Sequence, residues 1–177
     1  MSLIEKRYAE ALINIAVQQQ AIDTFLQDLG TFVKMYSEEP GFKAFLLNPQ
    51  NKILTKKDVI KKAFSSTIKT EIISFVSLLL DKGRLKHLPD IYEEYVKQAD
   101  EKRNILNIEI ISATPLDAGQ INIINDKYMK LYKATAAKSQ VQVDASLIGG
   151  IIVVIGDKVT DASIKGRLKE LQQLLVK

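Results

Sequence analysis

At Ile105 the hydrophobic spacing of the chain changes period, and that change dictates two different kinds of architecture on either side of it. Upstream, apolar residues recur every three or four positions, the spacing of one face of an α-helix. From Ile105 to Ile111, Leu106, Ile108 and Ile110 alternate with Asn107 and Glu109, the pattern of a half-buried strand. The segment Lys97–Arg103, rich in charge and nearly free of large apolar residues, runs up to the switch and marks the domain boundary. The expected class is α+β. Residues 1–104 form an N-terminal six-helix bundle, and residues 105–177 form a small mixed β-sheet domain with packed helices.

The first helix is expected over Leu3–Gln18, with Ile4, Tyr8, Ala11, Leu12 and Ile15 on one stripe and Ala9, Ile13 and Ala16 widening it. That arc is broader than one core contact requires. It means either two neighbours within a bundle, or one neighbour and a docking partner. A second helix carries Ile22, Phe25, Leu26, Leu29, Phe32, Val33 and Tyr36, and Pro40 ends it. One or two turns follow over Gly41–Leu47. Thr55 and Asp58 have capping-box spacing ahead of Val59, Ile60, Ala63 and Phe64, and Thr70 has the position of a cap for the next helix. In that helix Ile72, Ile73, Phe75, Val76, Leu78, Leu79 and Leu80 leave little polar face, and Lys82-Gly83 stops it. Pro89 fits the first turn of a last helix with Ile91, Tyr92, Tyr95, Val96 and Ala99 inward.

Beyond the boundary the expected order is β-α-β-β-β-α. Thr114-Pro-Leu-Asp117 has capping-box spacing and opens a helix with Ile121, Ile124, Tyr128, Leu131 and Tyr132 inward. Val141 and Val143 alternate again, Leu147–Ile155 reads as a strand covered on both faces, and Gly156-Asp157 turns it into a returning strand at Lys158–Thr160. Ile164, Leu168, Leu171, Leu174 and Leu175 stripe the final helix.

Chemistry is scarce. The chain has no cysteine and one histidine, His87, so the usual zinc sites are excluded and a surface or capping role suits that residue. Gly149, Gly150 and Gly156 crowd one region, but there is no GxGxxG and no Gly-Lys-Ser/Thr. A strand rather than a helix follows them, which fits a bulge or a close backbone approach better than a phosphate loop. Glu38-Glu39 and Glu93-Glu94 read as solvated carboxylates. Lys56-Lys57, Lys61-Lys62 and Lys165–Lys169 lack interleaved aromatics and lie apart. With a net charge of +4 they leave a basic nucleic-acid-binding module as the alternative to a protein-binding one. No apolar run reaches the length of a membrane span. No active site, metal or cofactor is expected.

One stretch is diagnostic. Asp144-Ala-Ser-Leu-Ile-Gly-Gly150, the apolar run to Ile155, Gly156-Asp157, Asp161-Ala-Ser163-Ile164 and Gly166-Arg167-Leu168 resemble the C-terminal signature of the ATP synthase delta subunit family, whose mitochondrial counterpart is the oligomycin sensitivity conferring protein. Arg7-Tyr-Ala-Glu-Ala-Leu12 with Ala16, Leu47-Asn-Pro49 and Leu80-Asp-Lys-Gly-Arg-Leu85 followed by Leu88-Pro89 extend the resemblance along the chain. It implies a non-catalytic stator subunit on the cytoplasmic face of a bacterial plasma membrane, without a membrane span or nucleic-acid ligand. It further implies that the bundle binds the N-terminus of an alpha subunit between its first and fifth helices, with Tyr8, Ala9, Leu12, Ala16, Phe75 and Leu79 as contacts. The second domain would engage the C-terminal region of the b-subunit stalk. Val154 and Ala162 depart from the family pattern, where a polar or basic residue and a glycine are usual.

Overall fold

The computed structural model describes residues 3–175, the side chains of Glu170, Leu174 and Leu175 excepted. They form two compact units, residues up to Ala99 and residues from Asp100. The division therefore falls in the last turn of a helix, a few residues before the change of period at Ile105.

The first unit is helical: α1 (Leu3–Gln18), α2 (Ile22–Glu38), α3 (Pro40–Leu47), α4 (Ile53–Phe64), α5 (Thr70–Asp81), a single 3-10 turn at Leu85–His87 and α6 (Leu88–Lys102). Pro40 ends α2 by starting α3, where its missing amide is one of the unpaired donors of the first turn. The core is one cluster running from Ala9 and Leu12 through Phe25, Phe32, Ile60, Ile72 and Leu79 to Tyr95 and Ala99. Aromatic rings organise one end of it, with Phe32 4.9 Å from Phe64 and 5.9 Å from Phe42 between ring centres.

Helix ends depart from the sequence expectation in an informative way. Neither Thr55 nor Thr70 caps: α4 begins two residues before Thr55, and neither it nor α5 has a side-chain N-cap of its own. At the start of α5 the donor is satisfied from across the bundle, because the backbone N–H of Lys69 donates to Asp28 Oδ2 at 2.8 Å. Asp28 is nearly buried, so the interaction is shielded from water. The stop at Lys82-Gly83 holds. Gly83 sits at φ 64, its N–H donates to Leu80 O at 3.0 Å and that of Arg84 to Leu79 O at 2.8 Å, the paired bonds of a Schellman end.

The second unit is a four-stranded sheet in the order β2-β1-β3-β4, built from β1 (Ile105–Ser112), β2 (Ala136–Val143), β3 (Ile151–Ile155) and β4 (Lys158–Asp161), with α7 (Ala118–Tyr132) and α8 (Ile164–Leu175). β1 and β2 are parallel, linked through α7, with Ile108 opposite Ser139 and Ile110 opposite Val141. β1 with β3 and β3 with β4 are antiparallel, so the sheet is mixed. Ile108, Ile110, Val153 and Tyr128 make the buried core, with Leu106, Ile124, Tyr132, Ile151 and Ile155 against it.

Three expectations are corrected. The capping box of α7 is formed by Asp117 and Gln120, with Asp117 Oδ1 accepting from the Gln120 N–H at 2.8 Å and Gln120 Oε1 from the Asp117 N–H at 3.0 Å, not by Thr114. Leu131 is on the outer side of α7 and 68% exposed. The run Leu147–Ile155 is not one doubly covered strand. Ala145–Leu147 is a 3-10 turn, β3 begins at Ile151, and only Val153 in it is fully buried.

A groove between α1 and α5

Helices α1 and α5 lie antiparallel. Gln19, just past the end of α1, donates through Nε2 to Glu71 Oε1 at 3.1 Å in the first turn of α5. At the other end Arg84 Nη1 donates to the Tyr8 hydroxyl at 3.0 Å, near the start of α1, and its guanidinium lies 5.6 Å from the centre of the Tyr8 ring. Between these clasps runs a cleft of ≈ 790 Å³. Its walls are Ile4, Tyr8, Ala11, Leu12 and Ile15 from α1 and Ser74, Phe75 and Leu78 from α5, with Thr70 and Glu71 at one end and Arg7 and Arg84 at the other. Tyr8 and Phe75, both in its lining, meet edge to face at 6.1 Å. Ile15 and Leu78 stand at the rim, 42% and 43% exposed.

Of the six bundle contacts expected from the resemblance, the groove brings together three: Tyr8, Leu12 and Phe75. Ala9, Ala16 and Leu79 have no exposed surface and belong to the core behind it. The reason is packing. Where helices cross closely, small residues such as Ala9 and Ala16 are consumed by the helix–helix contact, and Leu79 is rotated about 100° from Leu78 around the axis of α5. Ile4, Ala11, Ile15 and Leu78, which do line the groove, were legible as part of the wide arcs but not separable from the inward residues, and Ser74, a polar residue, was not singled out.

In the second unit, the nine signature positions are spread over a turn, a strand-to-helix joint and the first turns of α8. Gly156-Asp157 makes the two-residue turn between Ile155 and Lys158. Asp161 closes β4, and its Oδ1 accepts from the Ser163 N–H at 2.8 Å. Ser163, fully buried, caps α8 by accepting the Gly166 N–H on Oγ at 3.0 Å. The strand end and helix start are tied back to the glycines, since Ala162 N–H donates to Ile151 O and Ile164 N–H to Gly149 O, both at 2.9 Å. Gly150 has φ 79, and a methyl group there would strike the Ala162 carbonyl. The Ser163 hydroxyl, then its amide, hold the Asp161 carboxyl below the usual carboxylate range. Arg167 and Leu168 lie beyond the joint on α8, where Ile164, Leu168 and Leu171 remain 47%, 53% and 56% exposed along one stripe. Leu174 and Leu175, expected on the same stripe, have side chains outside those described.

Other candidates are absorbed by structure. The carbonyls of Gly149 and Gly150 accept from Ile164 and Ala113, and the glycines lead into β3 instead of opening a helix, unlike a phosphate loop. Lys57 pairs with Asp81 at 2.6 Å, and Lys56 is nearly buried, which removes two cations from the lysine cluster. His87 Nδ1 lies 3.0 Å from Glu5 Oε1, a buried carboxylate, in the turn before α6. Among the described residues no helix is long and apolar enough to cross a membrane.

A scan against family models matches residues 4–175 to "ATP synthase delta (OSCP) subunit". The chain belongs to that family. A relative named ATP synthase subunit delta from Acetivibrio thermocellus is 46% identical over 176 residues, 99% of each chain. A second, from Ruminiclostridium cellulolyticum, is 36% identical over 175 residues, again 99% of each. A chain in the cryo-EM structure of the Toxoplasma gondii mitochondrial ATP synthase hexamer superposes with a TM-score of 0.70 over 100% of this chain and 99% of that one, at 22% identity, which speaks for the fold. The delta-subunit family supplies structural components of the ATP synthase, so this chain is a non-catalytic stator subunit of that complex.

Proposed function

We propose that this delta subunit joins two partners through its two units. The groove between α1 and α5 receives the amphipathic N-terminal helix of an alpha subunit on the catalytic head. The second unit takes the C-terminal region of the b-subunit stalk, with the exposed stripe of α8 as its contact. In this reading the N-terminal unit is the family's six-helix bundle, and the complex sits at the cytoplasmic face of the membrane. Torque from the rotor is resisted at the head, so that it drives nucleotide chemistry instead of turning the head as a whole. The observation that carries the reading is the groove itself: an apolar channel between two helices, open along its length, walled by residues at helical spacing. Such a channel is complementary to one helix laid in it, with side chains at i, i+3, i+4 and i+7 as anchors.

The test is a calorimetric titration of the full chain with a peptide of the cognate alpha N-terminus, followed by amide chemical shifts. Saturable heat with shifts confined to α1, α5 and Arg84 is expected. No heat and no shift at high micromolar peptide would remove the proposal.

A further inference from the structure

The groove is apolar along its length but not at its ends. Three charged side chains line it among the described residues, and they are segregated: Glu71 at one end, Arg7 and Arg84 at the other. The backbone does not blur this pattern. Because α1 and α5 are antiparallel, each end of the groove holds one positive and one negative helix terminus, and the two macrodipoles largely cancel there. Side-chain charge is what remains.

Both poles have capacity to spare. No carboxylate pairs with Arg7 or Arg84 among the described residues. Arg84 spends one N–H on the neutral Tyr8 hydroxyl, and a guanidinium has five to give. Glu71 is held ionised by its own backbone N–H and then by Gln19, which lower its proton affinity. The charge of Lys69 acts on it more weakly, with Nζ 5.9 Å from the centre of the Phe25 ring.

We infer that the groove reads the charge polarity of its helical partner: acidic side chains at the end lying over Arg7 and Arg84, a basic side chain at the end lying over Glu71, and hence one docking direction. The inference rests on the helix-in-groove reading above and specifies the partner it accepts. Along α1 the poles are separated by the distance from Tyr8 to Gln19, roughly 16 Å at 1.5 Å per residue. With the reach of the side chains, the partner's charges fall about two to three turns apart. A helix with like charges at both ends meets one matched and one mismatched pole.

The test uses the full chain and designed amphipathic peptides of about four turns sharing one apolar face. One carries glutamates at the first end and lysines at the second, and another carries lysines at both. A nitroxide is attached to either end of the dipolar peptide, and amide broadening is read on the protein. A label at the acidic end is expected to broaden residues around Tyr8 and Arg84, and a label at the basic end those around Ile15 and Glu71. Arg7→Glu, at an exposed position, weakens the dipolar peptide about two- to fivefold at low salt, and replacing the peptide's glutamates by lysines restores binding to that variant. Broadening of both ends of the groove by either label, or an affinity indifferent to Arg7→Glu, would overturn polarity while leaving helix docking intact. Failure of every peptide to bind would overturn the docking reading and this one with it.

Discussion

The two units spend their apolar residues differently. In the helical unit one continuous core takes most of the large side chains; of those left exposed, Ile15 and Leu78 border a groove whose walls that core fixes, while Leu3, Val17, Met35, Leu47, Ile53, Leu54 and Val59 lie outside it. In the sheet unit the buried core is Ile108, Ile110, Tyr128 and Val153, one face of a sheet under one helix, and much of the remaining apolar surface lies open on α8 and along β2. A preformed groove on a well-packed body favours a partner that folds into it, at little ordering cost to the protein. A thinly covered sheet with an exposed amphipathic helix gains more from having its partner bound. On the proposed reading, the helical unit offers a preformed socket and the sheet unit a surface completed by assembly.

That contrast can be broken by mutation. The largest effect is expected in the first core, where Phe25 has no exposed surface: Phe25→Ala costs about 3–5 kcal/mol and leaves a cavity the packed helices cannot close. Urea unfolding should show the helical unit losing most of its stability. A loss under about 1 kcal/mol would mean that core is looser than described. Next comes Gly150→Ala, in which a left-handed residue acquires a Cβ against the Ala162 carbonyl. About 1–3 kcal/mol is expected, confined to the sheet unit and seen as faster amide exchange in β3 and α8 with α1–α5 unchanged. Ser163→Ala removes the cap of α8 and costs about 1 kcal/mol, read in the same exchange experiment.

The smallest effect is in pH. The folded-state carboxyl of Asp161 lies below its unfolded value, so the stability it contributes is present above the ordinary carboxylate range and is lost as pH falls through the folded value. Unfolding of the sheet unit followed across the acid range should therefore be shallower in Asp161→Asn, with no change near neutrality in its slope. An unchanged acid slope would show that the Ser163 bonds do not discriminate the ionised form.

Much of this architecture is written locally. The change of period at Ile105, the stop at Gly83 and the Gly156-Asp157 turn follow from short-range chemistry and needed no tertiary information. What sequence could not supply depends on contacts between distant segments. Asp28 satisfies the amide ahead of α5 forty-one residues away, so a local search for a cap finds Thr70 and stops there. The strand β2 begins at Ala136, in a stretch too polar to show alternation, because it pairs in parallel at a sheet edge with little of it buried. The wide apolar arcs do lie on the two helices that wall the groove, yet Ala9, Ala16 and Leu79 fell on the core side. A broad apolar arc carries no mark of which half faces a neighbour and which a partner.

The central claim is that the two apolar surfaces serve two different partners, and crossing two variants with two ligands tests it most directly. Leu78→Glu places a charge on the groove rim, and Leu171→Glu places one on the stripe of α8, both at exposed positions that leave the cores intact. Each variant of the full chain is titrated with the alpha N-terminal peptide and with a C-terminal fragment of the b subunit. The account predicts that Leu78→Glu weakens only the first by tenfold or more, about 1.4 kcal/mol, and Leu171→Glu only the second. If either variant weakens both ligands equally, or the alpha peptide binds Leu78→Glu as well as it binds the unaltered chain, the assignment of the groove is contradicted.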